Sequence, residues 1–325
     1  MKRLFLSLFV AIACNMGIMA QSSLVATLQH GSNIQAFYGD DALSAAHTAA
    51  VDGDIITLST GDFNICDITK AITLRGEGIG KSKLKNNKSS MTFTIPHGSA
   101  HTLTLEGLSF ADFYIYINGT DGTERAILSK CYFYQWQVAL SVYNCNATFV
   151  QCLFAYGSIH AYDNANITCT NSKLGGIERF SNNNCHFDIQ NCVITSNGST
   201  IKNSSIKNSI IGYNERPWSL DASNTSSHCL VLNGNTGFTN STYVDSWENI
   251  IVGNPNPRDI NEVAKSLFQL TETAATNYLG MDGTQVGIYG GMYPYNETVS
   301  YPLVKTLDVI GTHSNGKLNV TINVE

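Results

Sequence analysis

Residues 128–133 read LSKCYF and residues 149–154 read FVQCLF. The pattern recurs as LEGLSF from Leu105, CTNSKL from Cys169, IQNCVI from Ile189 and IKNSII from Ile206. Positions one and six are apolar throughout, and position four is small or apolar: Leu108, Cys131, Cys152, Ser172, Cys192 and Ser209. Position three holds Gly107, Lys130, Gln151, Asn171, Asn191 and Asn208, and Gly and Asn tolerate the left-handed backbone of a bend. Inward, outward, bend, inward, outward, inward describes two short strands meeting at a corner. Repeated about every 20 residues, it is one coil of a solenoid whose stacked coils bury like residues on like. Helical periodicity is absent from this region, so the sequence predicts an all-β solenoid.

Working outward, Cys131, Cys152 and Cys192 become rungs of one inward ladder in which Ser172 and Ser209 take the same place. Serine in the same ladder favours free thiols over disulfides, with cysteine acting as a small buried hydrophobe. A solenoid leaves a bare edge and an open core at each end. Residues 40–51, DDALSAAHTAAV, have the alanine content and apolar spacing of a capping helix. After Ile211 the repeat loosens into long excursions through residue 300, with a short helix expected near Asn261–Phe268. Residues 301–325 alternate apolar and polar side chains around a glycine turn, as a half-buried hairpin does, and the solenoid flank is the expected seat for its apolar face.

Residues 1–20 have the layout of a secretory signal peptide, Lys2-Arg3 followed by an apolar stretch and Met19-Ala20, which predicts export, to the cell surface, the medium or the periplasm. Lipidation at Cys14 is the alternative, although Ala stands where a lipobox carries Leu. Removing Lys2 and Arg3 from the 19 basic residues leaves 17 against 25 acidic ones, a balance of −8 that argues against a nucleic-acid partner. No later run reaches the roughly 18 apolar residues of a membrane span. Cys-x-x-Cys is absent and Cys185-His186 with Cys192 lacks paired-ligand spacing, so no metal or cofactor is expected.

Residues 75–82, RGEGIGKS, end like a phosphate-binding loop, but Arg75 replaces the first glycine, so a corner is the better reading. With the helix, Gly53-Asp54-Ile55-Ile56-Thr57-Leu58, Gly61-Asp62-Phe63, Ile72 to Gly78, the Asn-Cys and Asn-Ser corners and Asp282 to Gly291, the chain resembles the exported right-handed parallel β-helix proteins of the pectin-lyase-like superfamily. The resemblance covers nearly all of residues 24–325. It implies a right-handed parallel β-helix with an N-terminal capping helix and a C-terminal β-hairpin, a corner at RGEGIGKS, and polysaccharide as the substrate or ligand class.

Lyases of that superfamily use a basic residue with a carboxylate-bound cation, and its hydrolases use clustered aspartates. No aspartate recurs here at the coil period, and the paired-aspartate and Gly-His-Gly signatures are missing. The best polar group is His160, Tyr162 and Asp163 with Glu178 and Arg179 one coil on; a coil of about 20 residues places Glu178 over Ser158 and Arg179 over Ile159, near His160. Arg179 as base or uronate clamp, with His160 or Tyr162 as proton donor, would form a minimal lyase site; a solvated surface ion pair is the simpler account. Tyr114, Tyr116, Tyr132, Tyr134, Trp136, Tyr143, Tyr156 and Tyr162 crowd the same coils. The outward face at Tyr132, Leu153, Lys173, Val193 and Ile210 is too apolar to stand bare. Either the hairpin covers it, or Tyr132, Tyr134 and Trp136 form a sugar platform. These residues lead to a non-catalytic surface protein that binds glycan or surface polymer along its flank, with Asp163 and Glu178 as further contacts. A polysaccharide lyase acting on a uronic-acid glycan is the alternative, and a structural or adhesive protein the third reading.

Overall fold

The computed structural model describes residues 24–85, 87–134, 138–179, 184–195, 201–212, 218–253, 268–299, 304–314 and 317–324. Three sheets of 11, 10 and 5 strands wrap a β-solenoid of about eight turns, and the coil strands pair in parallel. Each repeat hexapeptide bridges the 11- and 10-stranded sheets. In one coil, strand Arg125–Ser129 ends at Lys130, whose φ of 51° turns the chain into strand Tyr132–Tyr134. Gln151, Asn171, Asn191 and Asn208 adopt the same left-handed backbone. Leu128 pairs with Leu105 below and Phe149 above, and Phe133 pairs with Phe110 and Phe154. Their rings stack in successive layers, 5.0 Å and 4.4 Å apart between centroids.

The thiol ladder explains its own serines. Cys131, Cys152, Cys192 and Cys229 each donate from Sγ to the carbonyl two residues back, at 3.3–3.6 Å. Ser172 and Ser209 make the same bond at 2.9 Å and 2.7 Å. All eight described cysteines are free thiols.

At the N-terminal end, strands Val25–His30 and Asn33–Tyr38 extend the large sheet as an antiparallel hairpin that the repeat does not foreshadow. Helix Ala42–Ala49 buries Ala42, Leu43 and Ala46 over the first coil. RGEGIGKS is a corner between strands Thr73–Arg75 and Ser82–Lys85, and its Ser82 hydroxyl is committed to the Leu58 and Ser59 carbonyls at 3.1 Å and 2.8 Å. The expected helix near Asn261–Phe268 falls almost wholly outside the described residues, whereas Glu272–Asn277 forms a helix capped by the Thr271 side chain. Among the described residues no helix is long and apolar enough to cross a membrane.

The apolar outer face of the repeat is covered, but the described cover is not the hairpin. Tyr132, Leu153, Ala155, Val193, Ile210 and Leu230 pack against Ile251, Phe268, Leu270, Val286, Ile288 and Tyr295 in a second core. Residues 280–299 form a strap that descends the line of bend residues. Asn208 Oδ1 accepts from Met281 N–H at 3.0 Å, Asn171 Nδ2 donates to the Ile288 and Gly290 carbonyls at 2.9 Å and 2.7 Å, and Gln151 Nε2 donates to those of Tyr293 and Pro294 at 3.2 Å and 2.7 Å. Lys130 Nζ donates to Thr298 O. At the lowest rung Gly107 is required, since a Cβ there would sit 2.6 Å from Gly76 O and 2.8 Å from Val299 Cγ1. The C-terminal strands Val304–Ser314 and Lys317–Val324 pair antiparallel; their side chains lie outside the described residues.

Candidate functional site

Opposite in character to the strapped face is the five-stranded sheet, built from Ser90–Thr94, Tyr114–Asn118, Val138–Tyr143, Ser158–Tyr162 and Gly176–Arg179. Alternate side chains point away from the core. Met91, Ile115, Leu140, Ile159 and Ile177 form an inner row, and beside it Thr92, Tyr116, Ser141, His160 and Glu178 form an outward one. A second outward row runs through Thr94, Asn118, Tyr143 and Tyr162.

The pairing corrects the expected coil length. Between these strands the coil is shorter than the repeat suggests, because Ser158 pairs with Gly176 and not with Glu178. Glu178 therefore lies beside His160 rather than over Ser158, with Oε2 3.7 Å from Nε2. Arg179 pairs with Ala161, not Ile159, in register with the buried residues Ile117 and Val142; its side chain lies outside the described residues. His160 is only 6% exposed, and burial lowers its imidazole to about 4, while burial raises the Glu178 carboxyl. A neutral imidazole at this distance from a carboxyl makes a polar contact and not an ion pair.

Tyr162 stacks on Tyr143 at 4.4 Å with their planes 7° apart, and Tyr116 tilts against Tyr143 at 6.4 Å. Burial, then the neighbouring Tyr162 and Tyr116, pushes the Tyr143 phenol up to about 12. Beside this ladder runs an open groove of about 370 Å³ lined by Tyr116, Asn118, Gly119, Tyr143, Asn144 and Asp163. Asn144 and Asp163 hold φ of 46° and 56°, which places them at the turn that edges the groove. A larger groove of about 700 Å³ opens at the strap, but its Lys130 and Gln151 are engaged by strap carbonyls.

The residues of the expected aromatic platform lie apart from this ladder. Tyr132 is 2% exposed beneath the strap segment, and Tyr134 is half-buried against Tyr132 and Tyr156. Trp136 lies outside the described residues. Asn118 and Asn144 carry no sequence signal beyond the general abundance of Asn. Tyr116 and Tyr143 were visible only as members of an aromatic-rich stretch, because which coil strand carries each row depends on the register.

These elements define a parallel β-solenoid with one strapped and one polar-aromatic flank. No family model, curated protein or solved structure matches this chain.

Proposed function

We propose that the protein is an exported, surface-associated member of the pectin-lyase-like β-helices that binds glycan along its five-stranded flank without cleaving it. The observation that carries this reading is the stacked Tyr143–Tyr162 pair beside a polar groove, on a sheet face apart from the strapped one. The two rings face one another, so a glycan would meet their edges and hydroxyls together with the amides of Asn118 and Asn144. A phenol held near 12 remains a neutral donor at physiological pH. Asp163 and Glu178 put acidic side chains on this face, and with an acidic chain they favour a neutral over a uronic glycan. The signal layout of residues 1–20 supports export.

The polysaccharide-lyase alternative draws on His160, whose neutral imidazole is suited to accept or relay a proton, with Tyr162, Arg179 and Glu178 nearby in register. Its burial works against direct contact with a polymer. A panel of neutral and uronic polysaccharides, scored for binding and for unsaturated product, separates the readings. Glycan binding predicts that Tyr143→Ala or Tyr162→Ala weakens affinity about tenfold, ~1.4 kcal/mol, whereas Tyr134→Ala does not. Equal affinity of all three variants and wild type would remove this flank as the site. Cleavage of a uronic polymer, lost in His160→Ala, would replace binding by catalysis. A structural or adhesive role predicts neither signal.

A further inference from the structure

At the turn that continues the groove strand, residues 119–124 fold back over the preceding coil. Ile95 N–H donates to Asn118 O at 2.9 Å, which brings the 96–99 turn of one coil against the 119–124 turn of the next. There His97 Nδ1 lies 3.3 Å from Glu124 Oε1 and 3.8 Å from Asp121 Oδ2, and one ligand atom from each residue falls within 4.8 Å of the others. We infer that His97, Asp121 and Glu124 form a site for a divalent transition ion of the zinc class, with water completing its coordination. The inference goes beyond the glycan reading and stands without it.

Three observations support it. First, the Glu124 side chain is 2% exposed yet aimed at the exposed His97. Its Oε2 accepts from Asp121 N–H at 3.3 Å and packs beside Gly119, where an added Cβ would sit 2.2 Å from Asn144 O and 2.9 Å from that oxygen. Second, Asp121 uses Oδ1 for the Thr123 N–H and hydroxyl, at 2.9 Å and 2.6 Å, which turns Oδ2 toward the imidazole. Third, the single Nδ1 of His97 faces two carboxylates. The separations of 3.3 Å and 3.8 Å exceed the ~2.7–2.9 Å of charge-assisted hydrogen bonds. The 3.3 Å separation matches the ~3.3–3.4 Å edge of a tetrahedron whose centre lies ~2.0–2.1 Å from each N or O ligand, and the 3.8 Å one would have to close on an ion.

A mixed set of one imidazole and two carboxylates suits zinc, with three protein ligands and an open fourth position. Calcium and magnesium prefer six or more, or strictly octahedral, oxygen ligands. No Cys-x-x-Cys or His-x-x-x-His spacing announces the site, because the coil stacking creates it.

The full chain, stripped with chelator, is titrated with zinc chloride and separately with calcium chloride, by calorimetry and by thermal midpoint. One equivalent of zinc is expected, with a raised midpoint. His97→Ala, on an exposed side chain, should weaken zinc at least tenfold, and Glu124→Gln should do the same if it folds. His101→Ala should bind as wild type. No zinc uptake, equal affinity of His97→Ala and His101→Ala, or calcium binding as tight as zinc would each overturn the assignment. Glycan binding measured on the same variants reports separately on the flank.

Discussion

The third residue of each coil hexapeptide performs two tasks at once. Its backbone takes the left-handed bend, with φ of 46° at Asn171 and 52° at Asn191, and in every coil but that of Gly107 its side chain faces the strap. The bend was legible from Gly and Asn alone. Lys130 and Gln151 take the same conformation against their propensity, at φ 51° and 54°, and both are engaged by strap carbonyls. That second task was not legible, since the strap lies far along the chain from the bends it covers. The two can be separated by mutation. Asn171→Gly keeps the bend and deletes the bonds to Ile288 and Gly290. It should cost about 1–3 kcal/mol and speed proteolysis within residues 280–299. Asn171→Ala should cost more, because it adds the strain of a left-handed alanine. Equal urea midpoints and equal cleavage rates for wild type and Asn171→Gly would show that the side chain does not hold the strap.

At the scale of strands and ladders, periodicity specified the fold where it was strict and failed where it lapsed. Phe110, Phe133 and Phe154 were assigned to successive layers because each closes its hexapeptide, and their rings stack there. The coil of Ser158 departed from the expected length, since turn length between sheets varies while the hexapeptide does not. That displacement decided which residue neighbours His160, so the fold was more readable than the site. The alternation of residues 301–325 makes the hairpin a legible candidate cover for the outer face, whereas the strap segment that packs there uses single apolar residues such as Val286, Ile288 and Tyr295 with no period. The layered rings give the sharpest energetic test. Phe133 is buried between two parallel partners, so Phe133→Ala removes contacts in three coils. A loss of about 3–5 kcal/mol is expected from the urea midpoint. A loss below about 1 kcal/mol would mean that the stack can collapse around the gap.

Over the whole molecule, buried thiols, an imidazole and an amine give a charge-poor chain a large part of its pH dependence. His160 falls from 6.5 to about 4 through burial, so below pH 6.5 the unfolded chain takes a proton that the folded one refuses. Stability is therefore lost as pH falls through that window, partly offset by Glu178, whose raised carboxyl binds a proton more readily when folded. Lys173, 2% exposed on the strapped face, falls from 10.5 to about 8 by burial. Between those values the unfolded chain keeps a proton that the folded one has released, so stability rises with pH. The thiols act in the opposite sense. From an ordinary 9.0, burial raises Cys66 and Cys229 to about 11 and Cys145 and Cys192 to about 12, so above pH 9 unfolding is favoured by ionisation. Several thiols outweigh one lysine, which places the stability maximum at about pH 8–9. Lys173→Met should raise stability at neutral pH by up to about 3 kcal/mol and remove the rise above pH 8, and His160→Gln should flatten the curve on its acid side. Urea midpoints across the range from about pH 5 to 10 check both, and a wild-type maximum below pH 6.5 would contradict the burial of these side chains.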